Sequence, residues 1–221
     1  IISNPSPMSF LSSLFFPERC AGCGRHSRAL CERCIASIPA ARETDDRHIT
    51  AIFEYGHKLV AGAIRNLKYH RRSESARVLT NAAVPHIIDT LTDMIQSIHR
   101  ESIILVPIPQ HKYKKHERGF NQSKLIAIWI AQSIPDTIVR ELLSKTATTI
   151  PQAHIKNKSL RFKNVTHSMT ADEGLDPKLL YIVIDDVTTT GATFLEAIRA
   201  LKASGAKKIH CIALSHGYAR K

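Results

Sequence analysis

Residues 181–193, YIVIDDVTTTGAT, constrain the fold more than any other stretch of the 221-residue chain. Ile182, Val183 and Ile184 are apolar without alternation, the pattern of a parallel strand covered on both faces. The apolar run stops at two adjacent carboxylates, Asp185 and Asp186. Three threonines and Gly191 follow, and a helix is expected from about Ala192, with Phe194, Leu195, Ile198 and Leu201 at helical spacing. A strand that turns straight into a helix through polar residues is a unit of an open α/β sheet, and such sheets bind ligands at the carboxyl ends of their strands.

The residue types in this turn suit a sugar phosphate. Thr188, Thr189, Thr190 and Thr193 offer hydroxyl donors, and Gly191 permits close backbone approach or positive φ. The helix beginning at Ala192 would aim free N–H groups and its positive dipole end at a phosphate. Asp185 and Asp186 would repel a phosphate; they suit accepting hydrogen bonds from sugar hydroxyls, or balancing a bound Mg²⁺. A plain helix cap is the competing explanation. A cap needs one Ser, Thr or Asp, however, and this turn supplies six polar side chains around a glycine. No GK[ST] and no G-x-G-x-x-G occurs in the chain, which excludes a Walker A loop and a dinucleotide fingerprint. The run resembles the phosphoribosyl pyrophosphate (PRPP) signature of type I phosphoribosyltransferases. That resemblance implies that Asp185 and Asp186 hold ribose hydroxyls while Thr188, Thr189, Thr190, Gly191, Ala192 and Thr193 cradle the 5′-phosphate.

Four of the five cysteines, Cys20, Cys23, Cys31 and Cys34, form two C-x-x-C pairs within 15 residues. Two such pairs can close a tetrahedral thiolate shell around Zn²⁺, and so short a module has too little apolar surface to fold otherwise. Disulfides or a redox pair compete with zinc, but no secretory signal is recognised in the sequence. A four-cysteine shell leaves no open coordination position, so the metal expected is structural. Arg19, Arg25, His26, Arg28 and Arg33 surround it and keep nucleic-acid contact in view. Cys211, inside the apolar run 209–214, reads as a buried strand cysteine rather than a nucleophile.

Lysine and arginine outnumber acids by 31 to 19, a formal charge of +12. Such a surplus favours polyanionic partners, nucleic acid first, although a generally basic surface would give the same count. No stretch has the length of apolar sequence needed to cross a bilayer. Residues 8–16 are apolar without a basic leader and read as a short docked amphipathic helix.

Along the rest of the chain, residues 38–46 read as a polar linker and 49–55 as a strand. Val60, Ile64 and Leu67 share a helical face that ends in the basic cluster Lys68, Arg71 and Arg72. A long helix is expected over 74–99, interrupted or kinked near Pro85. A buried strand at 103–106 runs into Pro107 and Pro109, and Asn121 is placed to cap an amphipathic helix carrying Leu125, Ile128 and Trp129. Residues 137–143 are read as a further strand, 145–158 as a mobile loop, 160–165 as a short helix and 168–171 as a strand. A strand at 208–214 follows the signature helix, with Gly205 at the helix end. Alternating strands and helices give an α/β fold, a mostly parallel sheet flanked by helices, with a small N-terminal zinc module. The division expected is residues 1–42 for the N-terminal helix and cysteine module, and 43–221 for the phosphoribosyltransferase-like domain.

Lys112, Lys114, Lys115 and Arg118 stand beside Tyr113 and Phe120, combining charge with aromatic faces as a single-strand nucleic-acid groove would. A solvated basic loop stapled by its phenylalanine is the alternative. Several further runs occur in order around the PRPP signature: LKY at 67–69, VPIP at 106–109, RGFNQS at 118–123, and the spaced Thr149, Gln152, Arg161 and Asn164. With the cysteine module they make the chain similar to the ComF family of competence proteins.

That resemblance implies a cytoplasmic, type I phosphoribosyltransferase-like fold with an N-terminal zinc finger, associated with single-stranded DNA uptake in natural transformation. It places Pro107, Arg118, Gly119, Asn121 and Gln122 in the pyrophosphate-loop region, and Thr149, Gln152, Arg161 and Asn164 in a flexible loop. Lys68, Arg71, Arg72, Lys112, Lys114, Lys115 and Arg118 are the nucleic-acid candidates. Lys114, Lys115 and His116 replace the arginines usual in such proteins, which removes bidentate phosphate geometry there. The expected partners are single-stranded DNA, PRPP or a related phosphoribosyl ligand with Mg²⁺, and a competence helicase or DNA-processing proteins. The alternative function is an active Mg²⁺-dependent phosphoribosyltransferase, for which no segment plainly specifies a nucleobase pocket.

Overall fold

The computed structural model describes residues 19–26, 29–67, 73–96, 103–110, 119–146 and 167–217. In chain order the elements are α1 (Glu32–Ala36), β1 (Ile49–Glu54), α2 (Lys58–Asn66), α3 (Glu74–Gln96), β2 (Ile103–Pro107), α4 (Gln122–Ser133), β3 (Thr137–Val139), β4 (Leu143–Lys145), β5 (Met169–Ala171), β6 (Leu180–Thr188), α5 (Ala192–Ala203) and β7 (Lys208–His216). Five strands form one sheet in the order β1-β7-β6-β2-β3, and every neighbouring pair is parallel. β4 and β5 make a separate antiparallel pair. The expected helices at 8–16 and 160–165 lie outside the described residues.

β6 lies at the centre and shows why its apolar run does not alternate. Leu180, Ile182 and Ile184 join a core with α2, α3 and α4, while Tyr181 and Val183 join a second core with α5 on the other face. Ile182 and Val183 are fully buried. Each such side chain contributes about 1.5–3 kcal/mol relative to leaving it in water.

The connections decide where a ligand can sit. From β2 the chain crosses through α4 to β3 at one edge, and from β6 it crosses through α5 to β7 in the opposite direction. The carboxyl ends of β2 and β6 therefore flank a topological switch point, where loops diverge and leave a crevice.

Four expectations are corrected. β6 continues past the two aspartates to Thr188, because β7 is long enough to pair with it as far as Thr188 with His216. Residues 39–41 are not a free linker: Ala40 bridges Phe53 antiparallel, and Ala41 N–H donates to Ile52 O at 2.9 Å, covering the outer edge of β1. The strand foreseen at 137–143 breaks after Val139, since β3 belongs to the main sheet and β4 to the small pair. The interruption expected as one alternative at Pro85 does not occur: α3 runs as one helix from Glu74 to Gln96, with Pro85 on its exposed side.

A buried carboxylate fastens the β4–β5 pair to α5. Glu196 is only 4% exposed. Its Oε1 accepts from Met169 N–H at 3.0 Å and from Arg199 Nη2 at 2.9 Å, and its Oε2 accepts from Arg199 Nε at 2.8 Å. Arg199 Nη2 also donates to Met169 O at 2.8 Å. Burial works to raise the Glu196 carboxyl, but the Arg199 guanidinium and the Met169 N–H outweigh it and hold the group below its ordinary range. Glu196→Ala is expected to cost roughly 2–3 kcal/mol in urea denaturation, the scale of hydrogen bonds to a charged group.

Candidate functional site

The turn after β6 forms a small pocket at the switch point. It has a volume of about 70 Å³ and is lined by Asp185, Val187, Thr188, Thr189, Thr190, Gly191, Ala192, Thr193 and Phe194. A pocket of that size, lined by hydroxyls and a helix start, suits a small polar group such as a tetrahedral anion. Gly191 stands at the N-cap of α5 with φ 72° and makes no side-chain cap, so the first turn of the helix, where Ala192 N–H reaches Thr190 Oγ1 at 3.5 Å, begins at this pocket. The left-handed conformation demands glycine, and a Cβ would in addition lie 2.9 Å from Ile49 Cδ1 and push that methyl aside. Gly191→Ala is expected to cost roughly 1–2 kcal/mol for left-handed backbone alone, and to weaken inorganic phosphate binding in calorimetry by displacing the loop.

The loop is supported from β7. Thr188 O accepts from Gly217 N–H at 2.8 Å, and the His216 ring nitrogen Nε2 lies 3.1 Å from Thr189 O. His216 is thus tied to the loop it borders.

The two aspartates have different surroundings. Asp185 Oδ1 accepts from Ser123 Oγ at 2.8 Å and from Asp186 N–H at 2.9 Å. Asp186 Oδ1 accepts from Val187 N–H at 2.8 Å. Burial first, and the neighbouring Asp186 charge second, push the Asp185 carboxyl up to about 7 against the opposing pull of Ser123, the Asp186 N–H and Lys145.

Across the crevice, the start of α4 is rigid and buried. Asn121 caps it: Oδ1 accepts from Ser123 N–H at 3.0 Å, while Nδ2 donates to Ile108 O at 2.9 Å, just beyond β2. Gln122 is 5% exposed and its Oε1 accepts from Gln110 Nε2 at 2.8 Å. Gly119 has φ 75°, and Pro107 ends β2 in register with Ile184. The structure thus brings Pro107, Gly119, Asn121 and Gln122 to the same end of the sheet as Asp185, Asp186 and residues 188–193. Arg118, Lys112, Lys114, Lys115, Lys68, Arg71, Arg72, Thr149, Gln152, Arg161 and Asn164 lie outside the described residues.

Sequence reasoning gave Ser123, within the RGFNQS run, and Gln110 no role of their own, and did not foresee Glu196 as a buried group. A serine in the first turn of a helix reads as ordinary N-terminal chemistry, and only the fold brings it to a residue 62 positions away.

The cysteine cluster is a second site. The Sγ atoms of Cys20, Cys23, Cys31 and Cys34 lie within 4.8 Å of one another, and Cys23 Sγ is 3.7 Å from Cys31 Sγ. A tetrahedral metal with bonds of ~2.3 Å to sulfur has edges of roughly 3.8 Å, so the donor set fits a structural zinc ion. N–H groups of Gly22 and Cys31 point at Cys20 Sγ, at 3.4 and 3.3 Å. Burial works to raise the Cys20 thiol, but N–H groups of Cys23, Cys31 and Gly22 outweigh it and bring it down to about 6. A Cβ on Gly22 would lie 2.7 Å from Cys34 Sγ and 3.1 Å from Leu59 Cδ2, so the cluster packs directly against α2. Leu30 and Ile38 join the main core. Cys211 is fully buried and its thiol is pushed well up by burial, as befits a packing residue.

Fold and sites together define an α/β protein with a parallel sheet flanked by helices, a crevice at its switch point and an N-terminal four-cysteine cluster. No family model matches the chain. The DNA utilization protein YhgH of Escherichia coli K12 is 27% identical over 194 residues, covering 86% of this chain and 80% of that protein. Competence protein ComFC of Bacillus subtilis is 25% identical over 197 residues, 84% of this chain and 72% of its own. Competence protein F of Haemophilus influenzae is 24% identical over 107 residues, 48% of this chain and 46% of its own. The relationship extends over most of the chain, and together with the N-terminal cysteine cluster these relatives support a ComF-family reading of it. A crystal structure of purine phosphoribosyltransferase from Pyrococcus horikoshii superposes with a TM-score of 0.37 at 12% identity, over 65% of this chain and 83% of that one, too loosely to bear on the fold. Among the described residues, no helix is long and apolar enough to cross a membrane.

Proposed function

We propose that this chain is a DNA-handling protein of the competence type whose sheet carries a binding site for a phosphoribosyl ligand, PRPP or a close relative. The observation that carries the ligand half is the pocket at the switch point. A helix N-terminus opened by Gly191, four threonines and a volume of about 70 Å³ suit one phosphate, and the carboxylates of Asp185 and Asp186 stand beside it as acceptors for ribose hydroxyls. Zn²⁺ on the four cysteines is read as structural, and Mg²⁺ would accompany PRPP rather than sit in a protein cage.

The DNA half rests on the relatives named for competence and DNA utilization, on the formal +12, and on exposed Arg19, Arg25 and Arg33 around the cysteine cluster. Lys68, Arg71, Arg72, Lys112, Lys114, Lys115 and Arg118 belong to the same proposal. Each phosphate contacted on a single strand should contribute about −0.7 to the slope of log affinity against log salt. The alternative, a Mg²⁺-dependent phosphoribosyltransferase, shares the pocket and adds turnover.

Calorimetry on the zinc-loaded chain with PRPP, and a salt series with single-stranded DNA, tests the reading. PRPP should bind the wild type and not Asp185→Asn with Asp186→Asn, while DNA binding survives the double substitution and weakens with salt. Pyrophosphate release with an added base and Mg²⁺ would favour the enzyme. No PRPP binding by the wild type would overturn the ligand half.

A further inference from the structure

The geometry points to Ser123 as a positioning residue that sets the rotation of the Asp185 carboxylate for a ribose hydroxyl, an inference that rests on the phosphoribosyl reading above. Ser123 is 4% exposed at the second position of α4, and its backbone is held by the Asn121 cap, itself anchored to Ile108 O. The hydroxyl therefore has little freedom. It spends its proton across the crevice, on Asp185 Oδ1 at 2.8 Å.

The second donor to Asp185, the Asp186 N–H, also goes to Oδ1. Two donors on one oxygen fix the carboxylate plane, and among the described residues no donor reaches Oδ2. Oδ2 is thus left as the acceptor for a ligand hydroxyl, with the pocket for its phosphate beginning at the same residue. The bond joins the two sides of the switch point, the start of α4 after β2 and the carboxyl end of β6 that leads into the threonine loop. Without it, the carboxylate keeps one backbone donor and gains rotational freedom, so orientation is lost while the phosphate loop is untouched.

Two ligands separate these effects. Ribose 5-phosphate needs both the carboxylate and the loop, whereas inorganic phosphate needs only the loop. On the zinc-loaded full chain, calorimetry should show that Ser123→Ala weakens ribose 5-phosphate roughly 3- to 10-fold, the scale of one hydrogen bond. Inorganic phosphate should bind as in the wild type, and Ser123→Thr, which keeps the hydroxyl, should restore ribose 5-phosphate. Should the alanine variant not fold, Ser123→Thr and Ser123→Val, which exchange hydroxyl for methyl at equal size, carry the same comparison. Unchanged ribose 5-phosphate affinity without the hydroxyl overturns the proposal, and so does an equal loss of both ligands, which would mark a merely structural residue. A wild type that binds no ribose 5-phosphate overturns the phosphoribosyl reading itself, an outcome recognisable because no variant is needed to see it.

Discussion

Replacing Cys20 with serine is expected to abolish zinc binding and release the N-terminal module from the body. Cys20 is the buried member of the cluster, 2% exposed, and its sulfur is the one on which N–H groups from Gly22 and Cys31 converge. Those donors stabilise a thiolate, and a serine hydroxyl offers neither the charge nor the softness that zinc prefers. The metal's contribution is the largest single term available to so short a segment, about 10–16 kcal/mol in isolated zinc-binding peptides. The consequence reaches the core. Leu30 and Ile38 are buried against the same cluster as α2 and β1, so a freed module exposes both, at about 1.5–3 kcal/mol each. Metal analysis should find one zinc per wild-type chain and none in Cys20→Ser, with limited proteolysis cutting the variant first before residue 42. Strong chelation should reproduce that pattern in the wild type. A protected N-terminal segment after complete metal loss would refute the structural role.

Much of the fold was legible because the strands are short, apolar and separated by helical repeats. The doubly buried β6 and the two C-x-x-C pairs each had one physical reading that outweighed the rest. Several of the misses depend on partners that only the fold brings together. Leu195 shares the helical spacing of Phe194, Ile198 and Leu201, yet it is 37% exposed while its neighbour Glu196 is buried. A hydropathy pattern cannot foresee this, since Glu196 is tolerated inside only because Arg199 and Met169 N–H neutralise it. The segment after the cysteine module looked like a linker because its residues are polar. It becomes an edge cover through backbone bonds to β1, which carry no side-chain signature. At the candidate site, the threonine loop and the acid pair were visible as residue types. The contact of Ser123 with Asp185 was not, because it exists only once β2 and β6 are neighbours.

Asp185→Asn is expected to stabilise the protein above neutral pH while weakening the phosphoribosyl ligand. Burial and the adjacent Asp186 charge raise this carboxyl to about 7, from an ordinary unfolded value near ~3.9. Between those values the folded chain binds more protons than the unfolded one, so this group's contribution to stability is full below pH ~4 and is lost as pH rises to about 7. Asparagine removes the dependence. Its Oδ1 still accepts from Ser123 and from the Asp186 N–H, so the native bonds survive the change. His210, buried and pushed down to about 4 chiefly by desolvation, gives the opposite slope between pH 4 and 6.5, but it does so in both proteins and cancels in their difference. The melting temperature of the variant should therefore match the wild type near pH 4 and exceed it at pH 8. Ligand affinity should move the other way. An amide NH₂ in place of Oδ2 puts a donor where a ribose hydroxyl seeks an acceptor, a loss of roughly 10- to 100-fold for a hydrogen bond to a charged group. A difference in melting temperature that stays constant from pH 4 to pH 8 would show that Asp185 is ionised at no cost, and that burial and the Asp186 charge put no strain on it.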